Sequence, residues 1–280
     1  MTTSTVNRNR VQSVILDMLS AEQFCRRDDL IDGNVHVVEA GPIDVDIPSI
    51  PGGRWFDRPD PYFSLVSVGL GGVVTASPEL MSWVMPLYTG IDRDQMMEPV
   101  RIAEVSRRME SLGQKTFGPF PRWVCAEENL KEFPVPKSYT IQLKEDNDDC
   151  HEDLTREETI RRPGEQTEKK FRAIAISLVD HRAIGSASVT ADGNNLYQIH
   201  IAIAEEHRGR GLGRALTGTI TRAILDLGAV PYYGTTAANT WSMRTAISCG
   251  FYPSWVHMFS RDVRSNGSNL NTSEEEVPGL

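Results

Sequence analysis

The sequence predicts a mixed α/β protein in two parts, and three observations carry that expectation. Strand-like and helix-like segments alternate along most of the 280 residues. Leu130–Ser138, with Pro134 and Pro136, reads as a linker between halves of different pattern. In the second half, Ile199–Gly213 (IHIAIAEEHRGRGLG) passes from a strand through a glycine-rich turn into a helix.

The first half opens on a polar stretch, residues 1–9. Val11, Val14, Ile15, Met18 and Leu19 then recur at helical spacing, so Val11–Phe24 is expected to be a helix. Val35–Ala40 reads as a strand, and Gly41–Pro61 as a long loop. Tyr62–Val68 and Val73–Ala76 flank Gly69-Leu-Gly-Gly72, which reads as a hairpin turn: position six of a dinucleotide fingerprint would be Val74, and a strand follows instead of a helix. Ser77-Pro78 starts a helix, with the serine as N-cap. Val100–Leu112 is a further helix closed by Gly113, and Phe120–Cys125 a strand.

Beyond the linker, strands are expected at Tyr139–Leu143, Phe171–Val179, Ala183–Thr190 and Leu196–Ala204. Asp146–Lys170 is charged. Leu212–Leu227 is a helix with Leu212, Leu216, Ile220, Ala223, Ile224 and Leu227 on one face. Val230–Thr235 is a strand, Asn239–Cys249 a helix capped by Asn239, and Trp255–Ser260 a last strand. The expected division is an N-terminal α/β domain over 1–135, a second domain over 138–262 and a disordered tail over 263–280, where Glu274-Glu-Glu276 is acidic.

Composition narrows the function classes. With 29 basic against 38 acidic residues the net charge is −9, which argues against a nucleic-acid partner held by bulk charge. No apolar run is long enough to span a bilayer, and the N-terminus lacks the basic and apolar regions of a signal peptide, so no membrane partner is expected. Cys25, Cys125, Cys150 and Cys249 lie far apart without a CxxC pair. That fits reduced cytoplasmic thiols, with no metal site expected.

The turn at Arg208–Gly213 has the chemistry of a phosphate seat. Glycine lets backbone N–H groups converge on an anion, the helix N-terminus adds partial positive charge, and Arg208 and Arg210 add full charges. A diphosphate-bearing ligand is the first expectation.

The ordered set over Ser138–Asp262 resembles the GNAT superfamily of acyl-coenzyme A transferases. The residues that carry the likeness are Arg208, Gly211 and Gly213 of R-x-x-G-x-G, Ile203 five residues before that arginine, Asn239 after the next strand, and Gly250-Phe251 after the next helix. Tyr197-Gln-Ile, Val230-Pro-Tyr-Tyr-Gly-Thr235 and Gly250-Phe-Tyr-Pro-Ser-Trp255 resemble a bacterial subgroup with an extra N-terminal domain. The resemblance implies a mixed central sheet splayed between its fourth and fifth strands, with flanking helices. It implies acetyl-CoA or another acyl-CoA as co-substrate. Ile201, Ala202 and Ile203 would bond the pantetheine arm. Gly209, Arg210, Gly211, Leu212, Gly213 and Arg214, with Arg208, would take the diphosphate, and Asn239 would approach the pantetheine or thiol end. A backbone N–H near Ile203 would polarise the thioester carbonyl. One departure is plain: many family members carry a tyrosine acid seven residues after the asparagine, and here that position is Ala246. Ser242, Tyr232 and Tyr233 are candidate substitutes. Their plainer readings are helix surface for Ser242 and sheet packing for the tyrosines.

Alternation along Leu196–Ala204 puts Tyr197, Ile199, Ile201 and Ile203 on one face and Gln198, His200, Ala202 and Ala204 on the other. His200 is therefore a candidate general base, the alternative being a hydrogen-bonded histidine packed under a helix. Gln198 is a candidate orienting group. Glu205 and Glu206 are expected on the solvated surface. The acidic run Asp146–Glu158 would suit a cationic acceptor or be a solvated helix face. Trp241 and Trp255 could stack on an acceptor, with packing in a core or domain interface the stronger reading. Trp55, Phe56, Tyr62, Trp83 and Trp123 would form the N-terminal core or cover the acceptor side. That half is expected to shape the acceptor site or to be a degenerate transferase-like half. The expected activity is transfer of a short acyl group to a small-molecule amine by direct attack, in a monomer or homodimer. Two alternatives remain: a CoA-binding regulatory module without turnover, and a transferase whose donor is the phosphopantetheine of an acyl carrier protein.

Overall fold

The computed structural model describes residues 5–41, 52–54, 62–145, 171–193 and 195–262. The elements are α1 (Arg8–Glu22), β1 (Val35–Glu39), β2 (Phe63–Val68), β3 (Gly71–Ala76), α2 (Met81–Tyr88), α3 (Pro99–Ser111), β4 (Gln114–Val124), β5 (Tyr139–Glu145), β6 (Phe171–Ser177), β7 (Ala183–Gly193), β8 (Leu196–Ile203), α4 (Leu212–Asp226), β9 (Val230–Gly234), α5 (Thr240–Ser248) and β10 (Tyr252–Asp262). Nearly every element expected from the sequence forms. The acidic run Asp146–Glu158, the tail 263–280, Cys150, Trp55 and Phe56 lie outside the described residues. No helix among the described residues is long and apolar enough to cross a membrane.

Two compact units form, and both are discontinuous in sequence. One gathers Met1–Val14, Trp123–Gly234 and Asn239–Pro253; the other gathers Ile15–Arg122, Thr235–Ala238 and Ser254–Leu280. These bounds differ from the expected sequential division at the 130–138 linker. The physical reason is visible at the N-terminus: Arg8 Nε donates to Asn129 Oδ1 at 2.8 Å and Arg10 Nη2 to the Gly228 carbonyl at 3.1 Å.

In the first unit, β9, β8, β7, β6 and β5 lie side by side in that order. β8 and β9 run parallel; the other neighbours are antiparallel. β6 shows why its sequence makes a strand with one buried face: Phe171, Ala173, Ala175 and Ser177 are buried while Arg172, Ile174 and Ile176 are half-buried. Small alanines on that face let α4 approach closely. Leu212, Leu216, Ile220 and Ile224 pack there against Ala173, Ala187, Tyr197 and Ile199. Each such side chain contributes roughly 1.5–3 kcal/mol of burial. Trp123 belongs to this core too, which corrects its expected place in an N-terminal core.

In the second unit the β2–β3 hairpin is flanked by β1, parallel to β3, and by β10, antiparallel to β2. Val84 and Tyr88 of α2 and Val105 and Met109 of α3 pack with Phe63, Leu65, Val74 and Met258. Tyr62 and Trp83 flank this core, and Trp255 is buried at 2% exposure, as packing rather than stacking requires. The Gly69-Leu-Gly-Gly72 cluster is the hairpin's turn and no phosphate loop. A Cβ on Gly71 would stand 2.7 Å from the Leu30 carbonyl oxygen, so glycine there serves a close backbone approach. Ser77 leads a short 3-10 turn before α2, but its side chain makes no capping bond.

The same unit buries a polar chain. Arg54 Nε and Nη2 each donate to Glu22 at 2.8 Å, and Arg54 Nη2 stands 3.3 Å from His257 Nδ1. His257 Nε2 lies 3.0 Å from Ser64 Oγ, which also accepts from Gln23 Nε2 at 2.9 Å; Thr75 Oγ1 donates to Gln23 Oε1 at 2.9 Å. A Ser–His pair invites a nucleophile reading, but the proton direction forbids it. A guanidinium only donates, so Nδ1 must accept and Nε2 must carry the proton and give it to Ser64. The ring cannot take a proton from the serine it already donates to.

Candidate active site

β8 is paired on both sides only along its first half. Its register with β9 runs from Leu196↔Val230 to Ile199↔Tyr233 and stops, while its register with β7 continues to Gly185↔Ile203. The second half of β8 therefore has one open edge. The Ala204 N–H is donated to the Ile184 carbonyl of β7 at 2.9 Å. Successive backbone groups alternate in direction along a strand, so the N–H groups of Ile203 and Ile201 face the side that β9 has left. This is the splay expected between the fourth and fifth strands of this unit.

The turn after β8 ends on that edge. Gly209 and Gly211 adopt φ of +72° and +88°, left-handed values that glycine takes without a Cβ penalty. Nothing lies within 4 Å of where a Gly209 Cβ would be. Gly211 is the N-cap of α4 and, lacking a side chain, supplies no cap to the first N–H groups of the helix. That is the arrangement an anion needs. Leu212 is buried in the core and fixes the helix start, and Gly213 stands 3.6 Å (from an added Cβ) from Ile203. Arg210 is exposed and its Nη1 lies 3.3 Å from the Tyr139 hydroxyl, which in turn meets His207 Nδ1 at 3.0 Å. Arg208 Nε donates to the Ile203 carbonyl at 3.1 Å, tying the turn to the end of β8. Arg214 stacks over the Phe133 ring at 4.6 Å. Glu205 and Glu206 are exposed.

The sheet face away from α4 is polar. Parity falls as expected: Tyr197 and Ile199 enter the core with Ile201 and Ile203 packed against it, and Gln198 and His200 lie on the other face, half-buried. His200 Nε2 meets Thr190 Oγ1 at 3.0 Å. Gln198 Oε1 lies 2.7 Å from the Tyr232 hydroxyl, which also donates to the Asp192 carboxylate. Asp192 sits where the β7–β8 register shifts, a bulge that a sequence search for alternation passes over. Asp192 and Tyr232 thus adjoin the candidate residue Gln198, and the sequence offered only the tyrosine.

The next strand and helix complete the rim. Asn239 caps α5, its Oδ1 accepting from the Ser242 N–H at 3.1 Å. Tyr233 is buried against Phe251, and its hydroxyl meets the Ser242 side chain; burial raises its pKa, the serine contact opposing. Ala246 is fully buried. Trp241 is 73% exposed beneath Arg244, with the guanidinium 5.4 Å from the ring, so the core packing expected for it does not occur.

Comparison with known proteins places this arrangement. The acetyltransferase (GNAT) family model matches residues 137–251. That segment is a GNAT acetyltransferase domain. No curated protein matches the chain. Among solved structures, a GCN5-related N-acetyltransferase from Kribbella flavida is 15% identical with a TM-score of 0.39, over 55% of this chain and 63% of that one. A putative GNAT acetyltransferase from Novosphingobium aromaticivorans is 16% identical with a TM-score of 0.36, over 53% and 66%. A GCN5-related N-acetyltransferase-like protein from Streptococcus suis is 15% identical with a TM-score of 0.40, over 67% and 78%. The chain thus spans less than two thirds of the length of the first two.

Within the GNAT domain the residues expected at the diphosphate and pantetheine sites, Ile201 to Arg214, form one continuous edge and turn. Asn239, Ser242 and Tyr233 gather at the start of α5, while Gln198 and His200 share the opposite sheet face.

Proposed function

We propose that the GNAT domain transfers an acetyl or other short acyl group from acyl-CoA to an amine of a small molecule, by direct attack within a ternary complex. The observation that carries this reading is the end of β8–β9 pairing at Ile199↔Tyr233 beside an α4 N-terminus without a side-chain cap. An extended thioester arm needs an open strand edge, and a diphosphate needs unsatisfied N–H groups one turn away. Both features adjoin here.

Each residue then has a defined task. The Ile203 N–H points into the open edge, where it would donate to the thioester oxygen as negative charge develops. Attack forms a C–N bond and breaks the C–S bond. The amine gives up a proton, for which His200, held by Thr190, is the acceptor. Ser242, whose side chain meets Tyr233, would donate a hydrogen bond to the departing thiolate, which takes its proton from solvent. A thiol pKa of about 8.5 makes that second proton less critical than for an alkoxide.

A second reading has its own observation. The position where related enzymes hold a tyrosine acid is Ala246, fully buried, which favours a CoA-binding module without turnover. One experiment separates the two. Thiol release from acetyl-CoA is followed across a panel of primary amines while acetyl-CoA binding is read from the melting temperature. Release with any amine supports the transferase. Thermal stabilisation without release for every amine supports the binding module.

A further inference from the structure

Behind the candidate orienting residue Gln198 stands a buried pair. Tyr232 is 0% exposed and Asp192 is 2% exposed. The Tyr232 hydroxyl meets both the Asp192 carboxylate and, at 2.7 Å, Gln198 Oε1. Both neighbours face it with an oxygen, yet a phenol has one proton and donates to one acceptor. A carboxylate is the stronger acceptor, because a charge-assisted hydrogen bond exceeds a neutral one about twofold. The phenol proton therefore goes to Asp192. The contact with Gln198 is favourable only when the amide N–H faces the phenol oxygen. A half-turn of the carboxamide achieves this without moving any other atom. The carbonyl oxygen of Gln198 then faces outward, on the half-buried face it shares with His200.

The position of the chain gives this direction a use. Gln198 pairs with Tyr232 in register, one residue before β9 leaves β8. We propose that Asp192 and Tyr232 are positioning residues that set the Gln198 carboxamide so that its oxygen, and not its N–H, meets the acceptor. This rests on the acyl-transfer reading above: an attacking primary amine carries N–H bonds and needs an acceptor to orient it. A neutral or protonated amine would be held by that oxygen, and a hydroxyl acceptor used only as hydrogen-bond acceptor would be refused. The direction runs from the amide of Gln198 to the phenol and on to the carboxylate.

Two arms test it. In the first, Tyr232→Phe removes the phenol oxygen that holds the amide. The KM for the best amine of a panel (tyramine, histamine, spermidine and free amino acids) is expected to rise at least tenfold, with the acetyl-CoA Kd changed less than twofold. An unchanged amine KM in the folded variant overturns the proposal. The second arm needs no turnover. Gln198→Glu places two carboxylates on one phenol proton, so the melting temperature at pH 8 is expected to fall by several degrees. Adding Asp192→Asn leaves one carboxylate and one amide, the chain reverses, and the melting temperature is expected to return. If Gln198→Glu keeps the wild-type value, or if Asp192→Asn does not restore it, the proton runs the other way and the proposal is wrong. Should the wild type turn over no amine at all, the transferase reading fails by itself, and the thermal arm still decides the direction of the chain.

Discussion

Nη2 of Arg54 stands 3.3 Å from Nδ1 of His257, and this contact fixes the imidazole as the neutral Nε2–H form. Burial holds the His257 pKa well below the ordinary value, and the charges of Arg54, Arg122 and Arg261 push the same way. The unfolded chain takes up that proton near pH ~6.5. The unfolded state therefore binds more protons below that pH, and stability falls as the pH falls through it. The contribution is complete above about pH 6.5. The melting temperature is expected to drop between pH 7 and pH 5. His257→Gln is expected to be less stable at pH 7, by about 1–3 kcal/mol for the orphaned partners. The variant should also show a flatter pH dependence. Parallel curves for the two proteins would remove His257 as the source.

The ion pair beside it is a separate test. The side chains of Arg54 and Glu22 are only 5% and 8% exposed. Removing one partner leaves an uncompensated buried charge. Arg54→Met is expected to cost ~3–5 kcal/mol, and Arg54→Met with Glu22→Leu much less, because no charge is then stranded. Urea midpoints of the two variants check this. Equal losses would mean that the pair's hydrogen bonds, and not the stranded charge, set the cost.

Much of the local geometry around the candidate site was readable because its signals are local. Arg208–Gly213 announces a turn by glycine spacing, and Asn239 announces a cap. Alternation in Leu196–Ala204 correctly separated His200 and Gln198 from the core face. The buried features depended on distant pairings that no local pattern encodes. Asp192 lies between the expected strands Ala183–Thr190 and Leu196–Ala204, and the β7–β8 bulge brings it to Tyr232, forty residues on. The Ser64–His257 contact spans 193 residues. The interleaved units follow for the same reason: Arg8 and Arg10 choose partners at Asn129 and Gly228, far along the chain. The stronger reading of Trp241, packing in a core or domain interface, followed from aromatic residues being usually buried, and on the short helix α5 the ring is instead exposed beneath Arg244.

The proposed diphosphate seat can be tested apart from the proposed thioester site. Arg210 is exposed at the turn, with its Nη1 3.3 Å from the Tyr139 hydroxyl. Arg210→Ala is expected to weaken acetyl-CoA binding by ~1.5–3 kcal/mol, roughly ten- to a hundredfold. It should leave the weak binding of S-acetyl-N-acetylcysteamine, which has no diphosphate, unchanged. Gly211→Ala adds a Cβ at φ +88°, which is expected to cost ~1–2 kcal/mol of stability while also reshaping the seat. Isothermal titration with both ligands checks the pair. Equal losses for the two ligands would move the arginine's role away from the diphosphate.

Ser242 and Tyr233 offer the last test, at the leaving group. Tyr233 is buried and its pKa is raised by that burial, so the phenol stays protonated at neutral pH and above. Its hydroxyl meets Ser242, which is half-buried at the start of α5. A hydrogen bond donated by this pair matters in proportion to the basicity of the departing thiolate. Ser242→Ala is expected to lower kcat with acetyl-CoA about tenfold, below the usual 10²–10⁴ for general acids because a thiolate leaves readily. With 4-nitrothiophenyl acetate, whose thiol is far more acidic, the same variant should lose almost nothing. The contrast between the two donors is the decisive measurement, since a packing defect at α5 would slow both. Equal losses would assign Ser242 to structure. The hydrogen-bond donor would then have to be sought elsewhere around the buried Ala246, or the thiolate would depart without one.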